Sequence, residues 1–242
     1  MTTDARHADR WIRWEGFCNA RDLGGLPTAS GATTRYGRLI RSADTRLITA
    51  AGWEAARQAG VRTVIDLRNP AEVRPGVPPA GIETRMVPLD GVDDVDLWHR
   101  IRAEGLDGTP LYYRPFLDTR ADRVAAVLTA IARAPEGGVI FHCAAGRDRT
   151  GLISLLLLSL AGATPEAIAA DYALTLGQMT AVYDLLGFEQ HEPSLYGRLK
   201  ARGTTLTESI TSLVQDLDVP AYLTAAGVPG ADLDGLRRRL VP

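Results

Sequence analysis

A short apolar run that ends in a cysteine, then reopens a few residues later as a long apolar stretch, limits this chain's fold more than any other feature. Val139, Ile140 and Phe141 follow Gly137 and Gly138 and lead straight into His142 and Cys143. β-Branched and aromatic residues bounded by glycines mark a buried central strand. Residues 152–161 are the longest apolar stretch and include Ser154 and Ser159. They are about half of the roughly 20 residues that a membrane-crossing helix needs, so they read as a buried helix. Strand, tight loop and helix start in immediate succession bring unpaired backbone N–H groups and a positive helix-dipole end to one place. The segment reads as an anion cradle.

The rest of the chain alternates in the same manner. Residues 38–42 read as a strand, and residues 49–60 as a helix capped by Thr49, with Trp53, Ala56 and Ala59 inward and Gly60 as terminator. Strands are expected at 61–67 and 82–89, the second after a Pro- and Gly-rich turn at 75–81. Residues 120–133 form the clearest amphipathic helix, with Val124, Val127, Leu128 and Ile131 on one face. Thr164 and Pro165 suit the cap and first position of another helix, and the remainder to residue 240 reads as mainly helical. This order predicts an α/β fold: a central, mostly parallel sheet flanked by helices, with a helical C-terminal part. Residues 90–119 look irregular and are a lid candidate. With 242 residues, 45% hydrophobic and 23% charged, one domain over 1–242 is the expectation.

A formal net charge of -2 without a basic stripe gives no footprint for nucleic acid. Two cysteines, Cys18 and Cys143, are too few for a disulfide framework and fit a reducing compartment. Residues 1–10 lack the apolar core of a secretory signal, which points to the cytoplasm, with export by another route left open. No stable membrane insertion is expected.

The residues after Phe141 carry the chemistry. A cysteine at a helix start is stabilised as a thiolate and can act as a nucleophile. Five residues separate Cys143 from Arg149, whose planar fork suits two phosphate oxygens in a way that a lysine does not. Thr150 stands where a hydroxyl can hydrogen-bond the sulfur, and Gly146 permits a torsion that other residues resist. A merely structural cysteine leaves Gly146, Arg149 and Thr150 unexplained. A sulfur carrier of the rhodanese kind has a shorter loop, and the G-x-x-x-x-G-K-[ST] nucleotide motif is absent. His142 reads as a buried brace of the loop. Arg68 and Glu72 have the spacing of a surface ion pair on a helix.

His142 to Thr150 match in full the signature of the protein tyrosine phosphatase superfamily: His-Cys, five residues, Arg, then Ser or Thr. More closely, the loop resembles that of the bacterial broad-specificity tyrosine phosphatases related to the secreted mycobacterial enzyme and the Listeria lipid phosphatase. Arg147 stands where that pattern has lysine. Asn19-Ala20-Arg21-Asp22-Leu23-Gly24-Gly25, Arg41-Ser42, Asp66-Leu67-Arg68 with Glu72, 112–116 and the stretch 222–240 are similar as well. The resemblance implies a phosphomonoesterase that works through a phosphocysteine on Cys143, without metal or other cofactor. Ala144, Ala145, Gly146, Arg147, Asp148 and Arg149 would surround the phosphate, with Arg147 free to recruit a second one. His142, Asn19, Arg21 and Asp22 would brace the loop. Two general acids compete: Asp148, fixed beside Arg149 by the chain and matched in the family, is preferred to Asp90 at the start of the irregular segment. The implied substrate is a phosphorylated protein, foremost at tyrosine, or a phosphoinositide. A non-catalytic phosphate-recognition module is the alternative. A disulfide between Cys18 and Cys143 remains open.

Overall fold

Alternation along short strands gives the sheet two buried faces. The computed structural model describes residues 10–77, 79–91, 93–188 and 192–242. Its strands are β1 (Arg21–Asp22), β2 (Leu39–Ser42), β3 (Val61–Asp66), β4 (Glu83–Met86) and β5 (Gly138–His142). They lie in the order β1-β2-β5-β3-β4; only β1 runs antiparallel to its neighbour. Leu39, Ile65, Val139 and Phe141 face the larger apolar cluster, whereas Ile40, Val64 and Ile140 face a smaller one around Trp53. Both faces are covered, which suits near-continuous apolar strands of a parallel sheet. The fold is the expected α/β one.

Helix α1 (Ala50–Gln58) covers the smaller face; Thr49 caps it by accepting the Gly52 N–H at 3.1 Å. Trp53 and Ala56 turn inward as expected, while Ala59 lies just past the helix and is exposed. The larger cluster takes buried residues from α2 (Val95–Ala103), α3 (Tyr113–Thr119), α4 (Ala121–Ala132) and α5 (Asp148–Leu160), among others. α5 is buried almost all round, and all of its leucines are in the core. Thr164 and Pro165 open α6 (Pro165–Leu174), followed by α7 (Leu176–Leu186), α8 (Glu192–Ala201), α9 (Leu206–Asp216), α10 (Val219–Ala225) and α11 (Gly230–Leu240).

Segment 90–119 departs from the expected irregular lid. Asp94 caps α2 through the Leu97 N–H at 3.1 Å, and Leu97 and Ile101 are buried in the larger cluster. Trp98 packs on Phe116 of α3 at 6.1 Å between ring centroids. The apolar face of α2 is only two residues wide and borrows its cover from α3, so its periodicity is faint in the sequence. Residues 1–9, on which the reading of the N-terminus rests, and Val92 of the lid candidate lie outside the described residues. Among the described residues no helix is long and apolar enough to cross a membrane.

Candidate active site

Register places the cysteine at a shared edge. Ser42 of β2 and Asp66 of β3 both pair with His142, so the three central strands end in one row, and Cys143 begins the loop just beyond. Carboxyl ends of parallel strands are where such sheets bind ligands. The loop's carbonyls are taken by donors behind it: Ala144 O by the Asp44 N–H at 2.8 Å, Ala145 O by Asn19 at 3.0 Å, and Gly146 O by Asn19 at 3.1 Å and Arg41 at 2.9 Å. In a trans peptide the following N–H points opposite to the carbonyl. The N–H groups of Ala145, Gly146 and Arg147 are thereby directed to the other side, where α5 begins. Thr150 Oγ1 donates to Cys143 Sγ at 3.2 Å.

Gly146 has φ +69, and a Cβ there would sit 2.6 Å from Ser42 O and 2.7 Å from Ala43 N. Both obstacles are backbone. Gly146→Ala is therefore expected to destabilise the protein by about 1–3 kcal/mol or to displace the loop. A urea midpoint and a phosphate-binding titration on the same variant measure the two effects.

Arg149 is held before any ligand arrives. Its two terminal nitrogens meet Glu72 at 2.7 and 2.6 Å, and Nη1 also lies 3.0 Å from Asp90. Burial opposes the guanidinium charge, but the Glu72 hydrogen bonds and the neighbouring negative groups raise its pKa above the usual range. Glu72 is the residue that the sequence reading misplaced. It does not pair with Arg68 on a helix face, because Pro70–Glu72 is a single 3-10 turn. Arg68 instead bonds Asp66 and pairs with Asp44 at 2.7 Å, deep in the protein. Asp90 is the second surprise, since nothing local in the sequence ties it to the loop. Burial pushes its carboxyl up to about 6, with Glu72 and Asp148 adding to the rise and Arg149 opposing it.

The loop opens into a cavity of about 310 Å³ lined by Cys143, Ala144, Ala145, Arg147, Asp148, Arg149, Tyr183 and Phe188. Asp148 shares this cavity with the cysteine; Asp90 approaches from the Arg149 side. Arg147 departs from the expectation of a rim residue free for a second phosphate. It is 4% exposed, its Nε donates to both Asp148 oxygens at 3.2 and 3.0 Å, and its Nη1 donates to Tyr183 Oη at 2.7 Å. An arginine reaches α7 across the loop and is consumed there.

Behind the loop, His142 is buried; its Nδ1 lies 3.2 Å from Cys143 O and its Nε2 lies 3.8 Å from Asp66. Burial lowers its pKa and so favours the neutral ring, while the neighbouring Asp66 opposes that shift. Asn19 donates to the loop carbonyls of Ala145 and Gly146, and Arg21 holds it from behind by donating to Asn19 Oδ1 at 3.0 Å without touching the loop itself. Asp22 does not touch the loop: its oxygens accept the Gly24 and Gly37 N–H groups, and it braces the turn between β1 and β2. Cys18 and Cys143 are free thiols, and burial pushes Cys18 up to about 11.

The model of the tyrosine phosphatase family matches residues 12–242. A Cupriavidus necator protein with a provisional tyrosine-protein phosphatase name is 36% identical over 171 residues, covering 66% of this chain and 61% of that one. The triple specificity protein phosphatase PtpB of Mycobacterium tuberculosis is 30% identical over 186 residues, covering 65% and 66%. The chain thus spans about two thirds or less of the length of these curated relatives. The crystal structure of TpbA from P. aeruginosa shares 19% identity, covers 78% of this chain and 86% of that one, and superposes with a TM-score of 0.33, too loose to argue from. A family match over nearly the whole length, with the signature loop seated at the end of the central strand, means that the chain belongs to the tyrosine phosphatase family.

Proposed function

We propose that the chain is a cysteine-dependent phosphomonoesterase, a protein-tyrosine phosphatase of broad specificity that works as one catalytic domain. The observation that carries this reading is the loop itself: its carbonyls are turned away and its N–H groups directed to the side of Cys143 and the α5 start. Cys143 Sγ attacks phosphorus and the bond to the leaving oxygen breaks, with that oxygen taking a proton from a carboxylic acid. Water then cleaves the S–P bond and releases phosphate. The Thr150 hydroxyl, 3.2 Å from Sγ, stabilises the departing sulfur. Arg149 offers its fork to the equatorial oxygens.

An aryl ester is favoured by the cavity wall, where Tyr183 and Phe188 stand edge to face with centroids 6.4 Å apart. The names of the relatives point the same way. A phosphoinositide would need a second cationic handle, and Arg147 is already engaged by Asp148 and Tyr183. Retention of both Cys143 and Arg149 speaks against a recognition module without turnover. Two unpaired thiols fit a reducing compartment such as the cytoplasm. A burst of product from an aryl phosphate in the presence of chelator, followed by steady turnover, is the expected result. Stoichiometric binding without release of product would indicate the recognition module.

Asp148 is the proposed general acid, because geometry ranks before pKa and it lines the same cavity as the nucleophile. Asp90 is the rival, with a proton held to about pH 6. Loss of the acid should harm an alkyl phosphate about 10²–10⁴-fold while leaving nitrophenyl phosphate much less affected, and should flatten the alkaline limb of the pH–rate profile. Asp148→Asn is expected to show that selective defect. If Asp90→Asn alone shows it, the two carboxylates exchange roles.

A further inference from the structure

Beneath the cysteine loop, three arginines from the N-terminal part of the chain converge on one carboxylate of α6. Asp171 is 1% exposed and pairs with Arg10, with Arg21 Nε at 3.0 Å and with Arg41 Nη1 at 2.8 Å. Its backbone oxygen also accepts from Arg21 Nη2 at 2.6 Å. Two of these arginines lead onward to the loop. Arg41 Nη2 donates to Gly146 O at 2.9 Å, and Arg21 Nη1 holds Asn19 Oδ1, which turns the Asn19 amide N–H groups to Ala145 O and Gly146 O. Thr175, one turn after Asp171, accepts from Arg21 at 2.9 Å and from Arg41 at 3.3 Å.

We propose that Asp171 is a positioning residue for the phosphate site, acting through Arg41 and through the Arg21–Asn19 pair to hold the Ala145 and Gly146 carbonyls out of the cradle. The proposal rests on the reading of the loop as a phosphate site and assigns a role outside its contact residues. Three observations support it beyond proximity. Buried ion pairs are poor stabilisers compared with apolar packing of the same volume, so the cluster needs a reason other than stability. Asn19 has φ +45, the one non-glycine residue with a positive φ among the described residues. Strain of this kind persists where the surroundings over-determine it and gathers at functional sites. Finally, Arg41 Nε is buried without an acceptor, so the guanidinium is oriented for its Gly146 and Asp171 bonds at the expense of a third.

Without Asp171, Arg21 and Arg41 would repel each other and lose their common anchor; burial and Arg41 together already depress the Arg21 pKa, to about 9. A carbonyl released from this grip can rotate its peptide and replace an inward N–H by an inward oxygen. The cradle would then present an acceptor to an anion.

The test compares Asp171→Asn and Asn19→Asp with the wild-type full chain, using tungstate as a phosphate-shaped probe and nitrophenyl phosphate as substrate. Asn19→Asp keeps the side-chain shape and the tolerance of positive φ and leaves the Asp171 pairs in place, while it replaces the donor to the two carbonyls by a carboxylate oxygen that Arg21 neutralises. Both variants are expected to weaken tungstate binding at least about tenfold, the loss of one hydrogen bond to a charged group. Both should lower kcat/KM about a hundredfold, as a misplaced loop would. A lower denaturation midpoint for Asp171→Asn with unchanged tungstate affinity makes the residue merely structural and overturns the proposal. Should Asp171→Asn fail to fold, Asn19→Asp decides alone: wild-type affinity in that variant overturns the proposal equally. A wild-type chain that binds tungstate but hydrolyses no phosphate ester would defeat the enzyme reading, and the affinity comparison would still judge the positioning role.

Discussion

Cys143→Ser is expected to abolish turnover while leaving oxyanion binding in place. A serine hydroxyl is hardly ionised at neutral pH and is a far weaker nucleophile towards phosphorus than a cysteine sulfur. On the proposed reading the donors to the anion are backbone groups and Arg149, and none of them changes with the substitution. Thr150 Oγ1, which donates to Sγ at 3.2 Å, can donate to a serine oxygen instead. The expected loss in kcat is on the order of 10⁶-fold, as when a hydrolase is deprived of its nucleophile. Steady-state assay and calorimetric titration with phosphate, run on one preparation, check the two halves. Residual hydrolysis above trace contamination would remove Cys143 from the nucleophile position.

Arg149→Lys is expected to fare almost as badly, with a loss in kcat on the order of 10³-fold or more, the usual worth of an arginine that stabilises a transferring phosphoryl group. Charge is conserved in this variant; geometry is not. The guanidinium meets Glu72 through two parallel bonds at 2.7 and 2.6 Å, and this clamp fixes its plane before substrate binds. A lysine ammonium offers a single point and cannot use Glu72 as a planar guide. Its flexible stem also lets the ammonium settle between Glu72 and Asp90, away from the cradle. The comparison of kcat for Arg149→Lys and Arg149→Met separates the contributions. Near-equal losses mean that geometry dominates, and a lysine variant with most of the wild-type rate means that charge alone suffices.

The parts of the site that were legible in the sequence lie within one contiguous stretch. Strand, cysteine, Gly146, Arg149, Thr150 and buried helix follow one another, and their local order already dictates their geometry. The parts that were not legible are brought in from a distance. Glu72 reaches Arg149 from 77 residues away, and Asp171 reaches Arg21 from 150. Spacing misled at Arg68 and Glu72: an i, i+4 pair means an ion pair only on a helix, and Pro70 opens a single 3-10 turn there. Arg147 was misread for a related reason. Its neighbours in sequence say nothing of Tyr183, and only the packing of α7 against the loop turns a rim cation into an internal strut. The helices of segment 90–119 were obscured because each apolar face is narrow and is completed by the other.

The central place of β5 bears on how the protein comes to be active. The strand that carries the cysteine is the last of the sheet in chain order, yet it fills the gap between β2 and β3. Until it enters, those two strands each present a bare edge, and both apolar clusters lack the contributions of Val139, Ile140 and Phe141. Pairings between segments so far apart in sequence lose loop entropy before they gain contacts, so this closure is slow and is the step most exposed to aggregation. The same insertion sets Cys143 at the ends of β2 and β3 and starts the helix that completes the cradle. The cysteine loop therefore takes its place between the ends of β2 and β3 only once β5 has entered the sheet, so on the proposed reading the anion cradle is assembled late in folding rather than early.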